Sequence, residues 1–203
     1  MDIYRHDQDF RDRGFRVIAG IDEAGRGPIA GPVVAAAVIL PPAPVIQGLR
    51  DSKKVPEAER TALFWKILGH ADDFGVGVVD SAEIDRLNIL QATRRAMQMA
   101  FSELSVSPDA LIIDAVTVPD NGVHQFPIIK ADAKSACVAA ASIVAKYVRD
   151  TLMLRYDSLY PEYLFRKHKG YGTREHVERL QAHGPCPIHR KTFRLVKTLE
   201  LPF

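Results

Sequence analysis

Two apolar runs near the start of the chain, FRVIAGID (15–22) and GPVVAAAVIL (31–40), are separated only by EAGRGPIA. Runs this short and this rich in Val, Ala and Ile read as buried strands. The glycines and proline between them mark a tight connection. This spacing predicts an antiparallel strand pair. It also leaves Asp22 and Glu23 at the end of an apolar strand.

The rest of the chain extends that start into an α/β order. A helix is expected over about 56–69, opening at Pro56. FGVGVVD (74–80) reads as a third strand. Over 87–104 a helix is expected to bury Leu87, Leu90, Met97, Phe101 and Leu104 on one face. ALIID (110–114) and FPIIKAD (126–132) read as two more strands, each closing in an acid. A long helix follows over 135–158, with Val138, Ala141, Ala145, Val148 and Leu152 at core spacing. Thr173 is placed to cap a helix that Gly184 stops, and the tail from Pro185 reads as irregular and basic. A strand pair, then helices and strands in alternation, predicts a mixed sheet with helices on its faces.

Composition narrows the class. The 203 residues suffice for one domain, 47% of them hydrophobic and 26% charged. No run approaches the roughly 20 apolar residues of a membrane span. The charged start MDIYRHDQDFRDRGFR does not resemble a secretory signal. Cys137 and Cys186 are too few and too separated for a disulfide framework, and a cytoplasmic location is expected. Lys146 to the C-terminus holds 12 Lys/Arg against 6 Asp/Glu, while the first 145 residues hold 15 against 19. An acidic front and a basic back suit a metal site beside a polyanion surface, and equally a solvated basic face.

Asp22 with Glu23, Asp114 and Asp132 each fall where an apolar strand ends. Taken alone, Asp132 is equally readable as the cap of the following helix. Several carboxylates at one rim repel unless a cation neutralises them. An oxygen-only donor set favours Mg²⁺ or Mn²⁺ over Zn²⁺.

GIDEAGRGPIAGPVVAAAVIL, DSKK (51–54), EIDRLNIL (83–90), LIID, KADAKSACVAAASIVAKYVRD (130–150) and HKGYGTREH (168–176) together resemble the bacterial ribonuclease HII family, in order from about residue 17 to 197. The resemblance implies a ribonuclease H-like fold, a five-stranded mixed sheet flanked by helices with a small helical C-terminal part. Residues 1–15 read as a flexible lead-in, followed by a ribonuclease H-like catalytic core over 16–158 and a helical, basic substrate-binding extension of the same domain over 159–203. Asp22, Glu23, Asp114 and Asp132 match the family's catalytic acids and would hold two Mg²⁺ or Mn²⁺ ions. The implied reaction cuts RNA in RNA–DNA hybrids, and cuts 5′ to single ribonucleotides in duplex DNA, leaving 3′-hydroxyl and 5′-phosphate ends.

By the same resemblance Gly25, Arg26 and Gly27 contact the ribose 2′-hydroxyl, and Tyr171 stacks on the next deoxyribose. Lacking Cβ atoms, the two glycines let the backbone approach a sugar closely. Lys53 and Lys54 are assigned as phosphate contacts, or as two solvated lysines. Asp132, 18 residues after Asp114, takes the fourth acidic position; Asp150 is expected to pair with a nearby base. IDA and KAD stand where the family often has IDG and KGD.

His183, Cys186 and His189 have the spacing of a zinc loop but lack a fourth ligand. TLELPF (198–203) resembles the peptide that docks replication enzymes on the sliding clamp, with Thr198 in place of its glutamine and Leu201 and Phe203 as anchors. The tail folding onto its own domain is the reading favoured here. A monomer is expected by analogy. The alternative function is a hybrid-binding protein that has lost catalysis.

Overall fold

The computed structural model describes residues 3–50, 52, 55–114, 116–119 and 122–200. Lys53, Lys54 and the anchors Leu201 and Phe203 lie outside the described residues. Among the described residues no helix is long and apolar enough to cross a membrane.

A five-stranded sheet forms the middle layer, built from β1 (Ile18–Ala24), β2 (Val33–Ile39), β3 (Asp73–Val79), β4 (Ala110–Asp114) and β5 (His124–Ile128). Their spatial order is β3-β2-β1-β4-β5. β1 and β2 pair antiparallel, as do β2 and β3, while β1, β4 and β5 run parallel. β2 is buried along its whole length, which is why its sequence is a continuous Val/Ala/Ile run rather than an alternating one.

One face of the sheet carries α5 (Ala136–Leu159) and α2 (Glu57–His70), and the other carries α4 (Ile89–Ser102). Both contacts are close because small residues meet small residues. A Cβ on Gly20 would fall on the Cys137–Val138 backbone of α5. Cβ atoms on Gly75 and Gly77 would fall on the Ala100 and Ala96 carbonyls of α4.

Several expectations are corrected. Within the expected loose lead-in, residues 3–12 form α1 (Ile3–Asp12), which buries Asp7 and Phe10. Asp7 accepts a hydrogen bond from Cys137 N at 2.9 Å, so α1 caps α5 from outside alongside the local cap Ser135. The helix expected over 87–104 is α4, which starts only after Asn88, whose φ is +71°; Leu87 instead ends a separate preceding helix, α3 (Ser81–Leu87). Asn88 accepts from the amides of Leu90 and Gln91 and starts α4 anew. Leu90 is exposed near the start of α4; Ala92, Ala96, Met97 and Ala100 form the buried stripe, with Phe101 and Leu104 packed partly buried against the same cluster.

β1 runs on through Asp22 and Glu23 rather than ending at them. β5 stops at Ile128, and Asp132 lies beyond it on a 3-10 turn (Ala131–Ala133). The C-terminal part holds the short α6 (Phe165–His168), α7 (Arg174–His183) and α8 (Arg194–Glu200). Thr173 caps α7 by accepting from His176 N, and Gly184 ends it. α8 replaces the expected irregular tail, its Val196 buried against Ile29 and Leu180.

Candidate active site

The register of the parallel strands assembles the acids. Ile21 of β1 lies opposite Ile113 of β4, so Asp22 and Asp114 are the next residues along two adjacent parallel strands. Beyond Ile21, β1 pairs only with β2, and the β4 side opens at the carboxyl ends of the strands. Such a crevice is where open α/β sheets bind ligands.

A cavity of about 230 Å³ opens there, walled by Asp22, Glu23, Asp114, the Gly25–Gly27 loop, Lys146 and Tyr171. Asp22 is 6% exposed. It accepts from Glu23 N at 2.8 Å and is hydrogen-bonded by Ser142, whose Oγ lies 2.8 Å from Ser52 Oγ. Burial drives the Asp22 carboxyl well above its ordinary range, and the charges of Glu23 and Asp114 push it the same way. Ser142 and the Glu23 amide oppose that shift without reversing it.

The nearby bases are already engaged. Arg26 donates to Glu23 at 3.2 Å. Lys146 donates to Asp150 at 2.6 Å, and Asp150 also receives Arg60 at 3.1 Å. That is the pairing expected of an acid inside the helix. Burial lowers the Lys146 pKa, while Asp150 acts to raise it.

Asp114 Oδ1 accepts from Lys130 N at 2.8 Å and Ala131 N at 3.4 Å, which ties the turn carrying Asp132 to the site. Asp132 itself is buried and, among the described residues, is not in the cavity wall. Among the described residues no three Asp, Glu, His or Cys side chains are grouped so as to hold a metal ion by themselves. The donor set suits an open site. Mg²⁺-type ions keep several waters and take one or two carboxylates plus phosphate oxygens. A buried Asp22 driven upward by two neighbouring acids is relieved by a cation.

The two glycines beside the acids serve different ends. Gly25 has φ +101°, and a Cβ there would fall on the Arg149 side chain beneath the loop. Its glycine is therefore required by packing from below. A Cβ on Gly27 would point into the cavity, 3.9 Å from Tyr171 Cε1. Only Gly27 meets the expectation of a backbone left bare toward a ligand.

Tyr171 is 44% exposed at the cavity edge, with the Arg149 guanidinium 5.8 Å from its ring centre. Gly170 O accepts from Ile29 N and Ala30 N at 2.9 and 3.3 Å, stitching the glycine loop to the tyrosine turn. A chain of imidazoles holds that turn from behind. Cys186 N donates to His189 Nδ1 at 3.0 Å, His189 Nε2 lies 3.0 Å from His176 Nε2, and His176 Nδ1 lies 2.9 Å from Tyr171 O. Because the first group is a donor and the last an acceptor, both rings are neutral, with His189 Nε2–H donating to His176. Burial pushes both imidazoles down to about 4. Of the zinc-loop residues, Cys186 Sγ also lies 3.1 Å from His189 Nδ1, whereas His183 packs on Tyr163.

Sequence reasoning missed Ser52, Ser142, Arg149, Arg190 and the paired histidines. Arg149 is fully buried, yet in the sequence it is one of several charged residues along α5 and carries no signal of its burial.

The sheet order β3-β2-β1-β4-β5, with helices on both faces, is that of a ribonuclease H-like fold. The crystal structure of ribonuclease H2 from Pyrococcus horikoshii OT3 superposes with a TM-score of 0.78 at 27% identity, covering 91% of this chain and 97% of that one. Residues 19–196 match Ribonuclease HII, and the chain belongs to the ribonuclease HII family. It is 54% identical over 189 residues to the ribonuclease HII of Geobacter metallireducens (93% of this chain, 89% of that one). It is 52% identical over 182 residues to that of Caldanaerobacter subterraneus subsp. tengcongensis (90% and 76%). Membership makes it an enzyme, a metal-dependent endonuclease of the ribonuclease H class.

Proposed function

We propose that the protein hydrolyses the RNA strand of RNA–DNA hybrids and cuts 5′ of single ribonucleotides embedded in duplex DNA, leaving 3′-hydroxyl and 5′-phosphate ends. The observation that carries this reading is the adjacency of Asp22 and Asp114 on parallel strands, beside a backbone loop left bare toward Tyr171. Asp22, Glu23, Asp114 and Asp132 would hold two Mg²⁺ or Mn²⁺ ions. Bound there, such ions supply an activated water and charge stabilisation at the leaving oxygen.

The chain's own residues bind and orient. Ser142 holds the Asp22 carboxylate. The Gly25–Gly27 backbone meets the ribose 2′-hydroxyl, which distinguishes RNA from DNA at that position. The Tyr171 ring stacks on the following sugar, and Lys53 and Lys54 contact phosphates. The basic excess from Lys146 onward draws the duplex in.

The test is a labelled DNA duplex carrying one ribonucleotide, incubated with Mg²⁺ beside an all-DNA duplex. A single cut 5′ to the ribonucleotide, absent from the control and lost in Asp22→Asn, is expected. No cut with Mg²⁺ or Mn²⁺ overturns the reading.

A further inference from the structure

The glycine loop rests on a second buried guanidinium, that of Arg190. Arg190 is fully buried, and the carboxylate of Asp85 acts on it through its charge, while among the described residues its side-chain hydrogen bonds all go to backbone carbonyls. A buried guanidinium still requires acceptors for its N–H groups, and here backbone carbonyls supply them. Nη2 donates to Gly25 O at 2.6 Å, and Nη1 to Arg26 O at 3.1 Å and Pro28 O at 2.7 Å. Nε donates to Gly31 O at 3.0 Å, and the Arg190 amide to Ile29 O at 2.9 Å. Arg149 takes Ala30 O and Pro32 O from the other side. Between them the two arginines occupy every carbonyl from Gly25 to Pro32 except that of Gly27.

In a trans peptide the C=O of one residue and the N–H of the next point in opposite directions. Drawing the Gly25 and Arg26 carbonyls inward therefore turns the amides of Arg26 and Gly27 outward. Among the described residues neither amide donates to a protein group, and both residues wall the cavity. The buried positive charge behind them adds to their pull on an electron-rich oxygen.

We propose that Arg190 is a positioning residue for ribose recognition: it holds the Gly25 and Arg26 carbonyls inward and so aims the Arg26 and Gly27 amides at the sugar hydroxyl. The inference rests on the reading that this loop meets the 2′-hydroxyl. Lysine cannot replace the arginine, because a single ammonium does not span four diverging carbonyls.

The test compares metal-free binding of the single-ribonucleotide duplex and the all-DNA duplex by wild type, Arg190→Lys and Arg190→Gln, each checked for a folded spectrum. In the folded variants the wild-type preference for the ribonucleotide should fall about tenfold, the scale of a lost hydrogen bond or two. Affinity for all-DNA duplex should stay within about twofold, a split that general loosening of the fold would not produce. A preference retained in a folded variant overturns the role of Arg190 alone. A wild type without preference overturns the ribose reading, and this inference with it. Should both variants unfold, wild-type amide NMR decides: the Arg26 and Gly27 signals must move with the ribonucleotide duplex and not with the all-DNA one, and equal or absent movement overturns the proposal.

Discussion

Acidification should unfold this protein through His176 and His189, in a range where most carboxylates remain ionised. Both rings must stay neutral, because a proton on His176 Nε2 sets N–H against N–H across their 3.0 Å contact, and one on His189 Nδ1 sets it against the Cys186 amide. Burial accordingly brings each from the ordinary 6.5 to about 4. The unfolded chain therefore binds these protons first. The stability held by the neutral pair is complete above about pH 6.5 and lost as pH falls toward 4. The displacement is worth about 3 kcal/mol per imidazole once pH is below both values, and about 2 of that is gone by pH 5. Two rings titrating as a pair then remove about 4 kcal/mol, a large part of a typical 5–15. The raised Asp22 works the other way, since protonation relieves its burial, but that gain is common to wild type and histidine variants. The assay is urea unfolding at pH 7.5, 6 and 5 in chelator, for wild type, His176→Asn and His189→Asn. Each variant starts less stable but should lose only about half as much between pH 7.5 and 5. Equal losses in all three proteins would refute the neutral-pair reasoning.

Three further outcomes follow from packing. Gly20→Ala drives a Cβ into the α5 backbone and should cost about 3 kcal/mol or more, seen as a melting midpoint roughly 10 °C lower; a midpoint within the error of wild type would contradict it. Gly25→Ala and Gly27→Ala should part company. The first strains φ and strikes Arg149, so it lowers stability, whereas the second keeps the wild-type midpoint and slows cleavage by about two orders of magnitude by narrowing the gap to Tyr171; equal midpoints for the pair would count against the division of roles. Ser142→Ala removes a hydrogen bond to Asp22 and should weaken Mg²⁺ binding about tenfold in calorimetric titration, with the fold intact.

What the sequence disclosed and what it hid divide along a physical line. Strands were legible because β2 and β4 are buried on both faces and so appear as unbroken apolar runs. Asp22 and Asp114 stood out because a carboxylate interrupting such a run is costly without a purpose. Asp132 had no comparable signal: a three-residue 3-10 turn imposes no periodicity, so its acid looked like the end of β5. α1 was missed because it is held by Phe10 and by polar side chains, Tyr4, Asp7 and Arg11, whose partners are backbone groups far along the chain, within a segment that reads as charged. The α3–α4 break needed the left-handed Asn88, whose effect on register is invisible to a count of apolar spacings. Arg149 and Arg190 mark the limit most sharply. In a sequence a buried arginine has the same letter as a solvated one, and its acceptors here are carbonyls from residues 117 to 165 positions away, plus Lys169. The motif GRG is therefore only half of the device it names. Its conformation is set by two cations contributed from α5 and from the turn before α8, so substitutions far from the loop in sequence should alter which sugar it accepts.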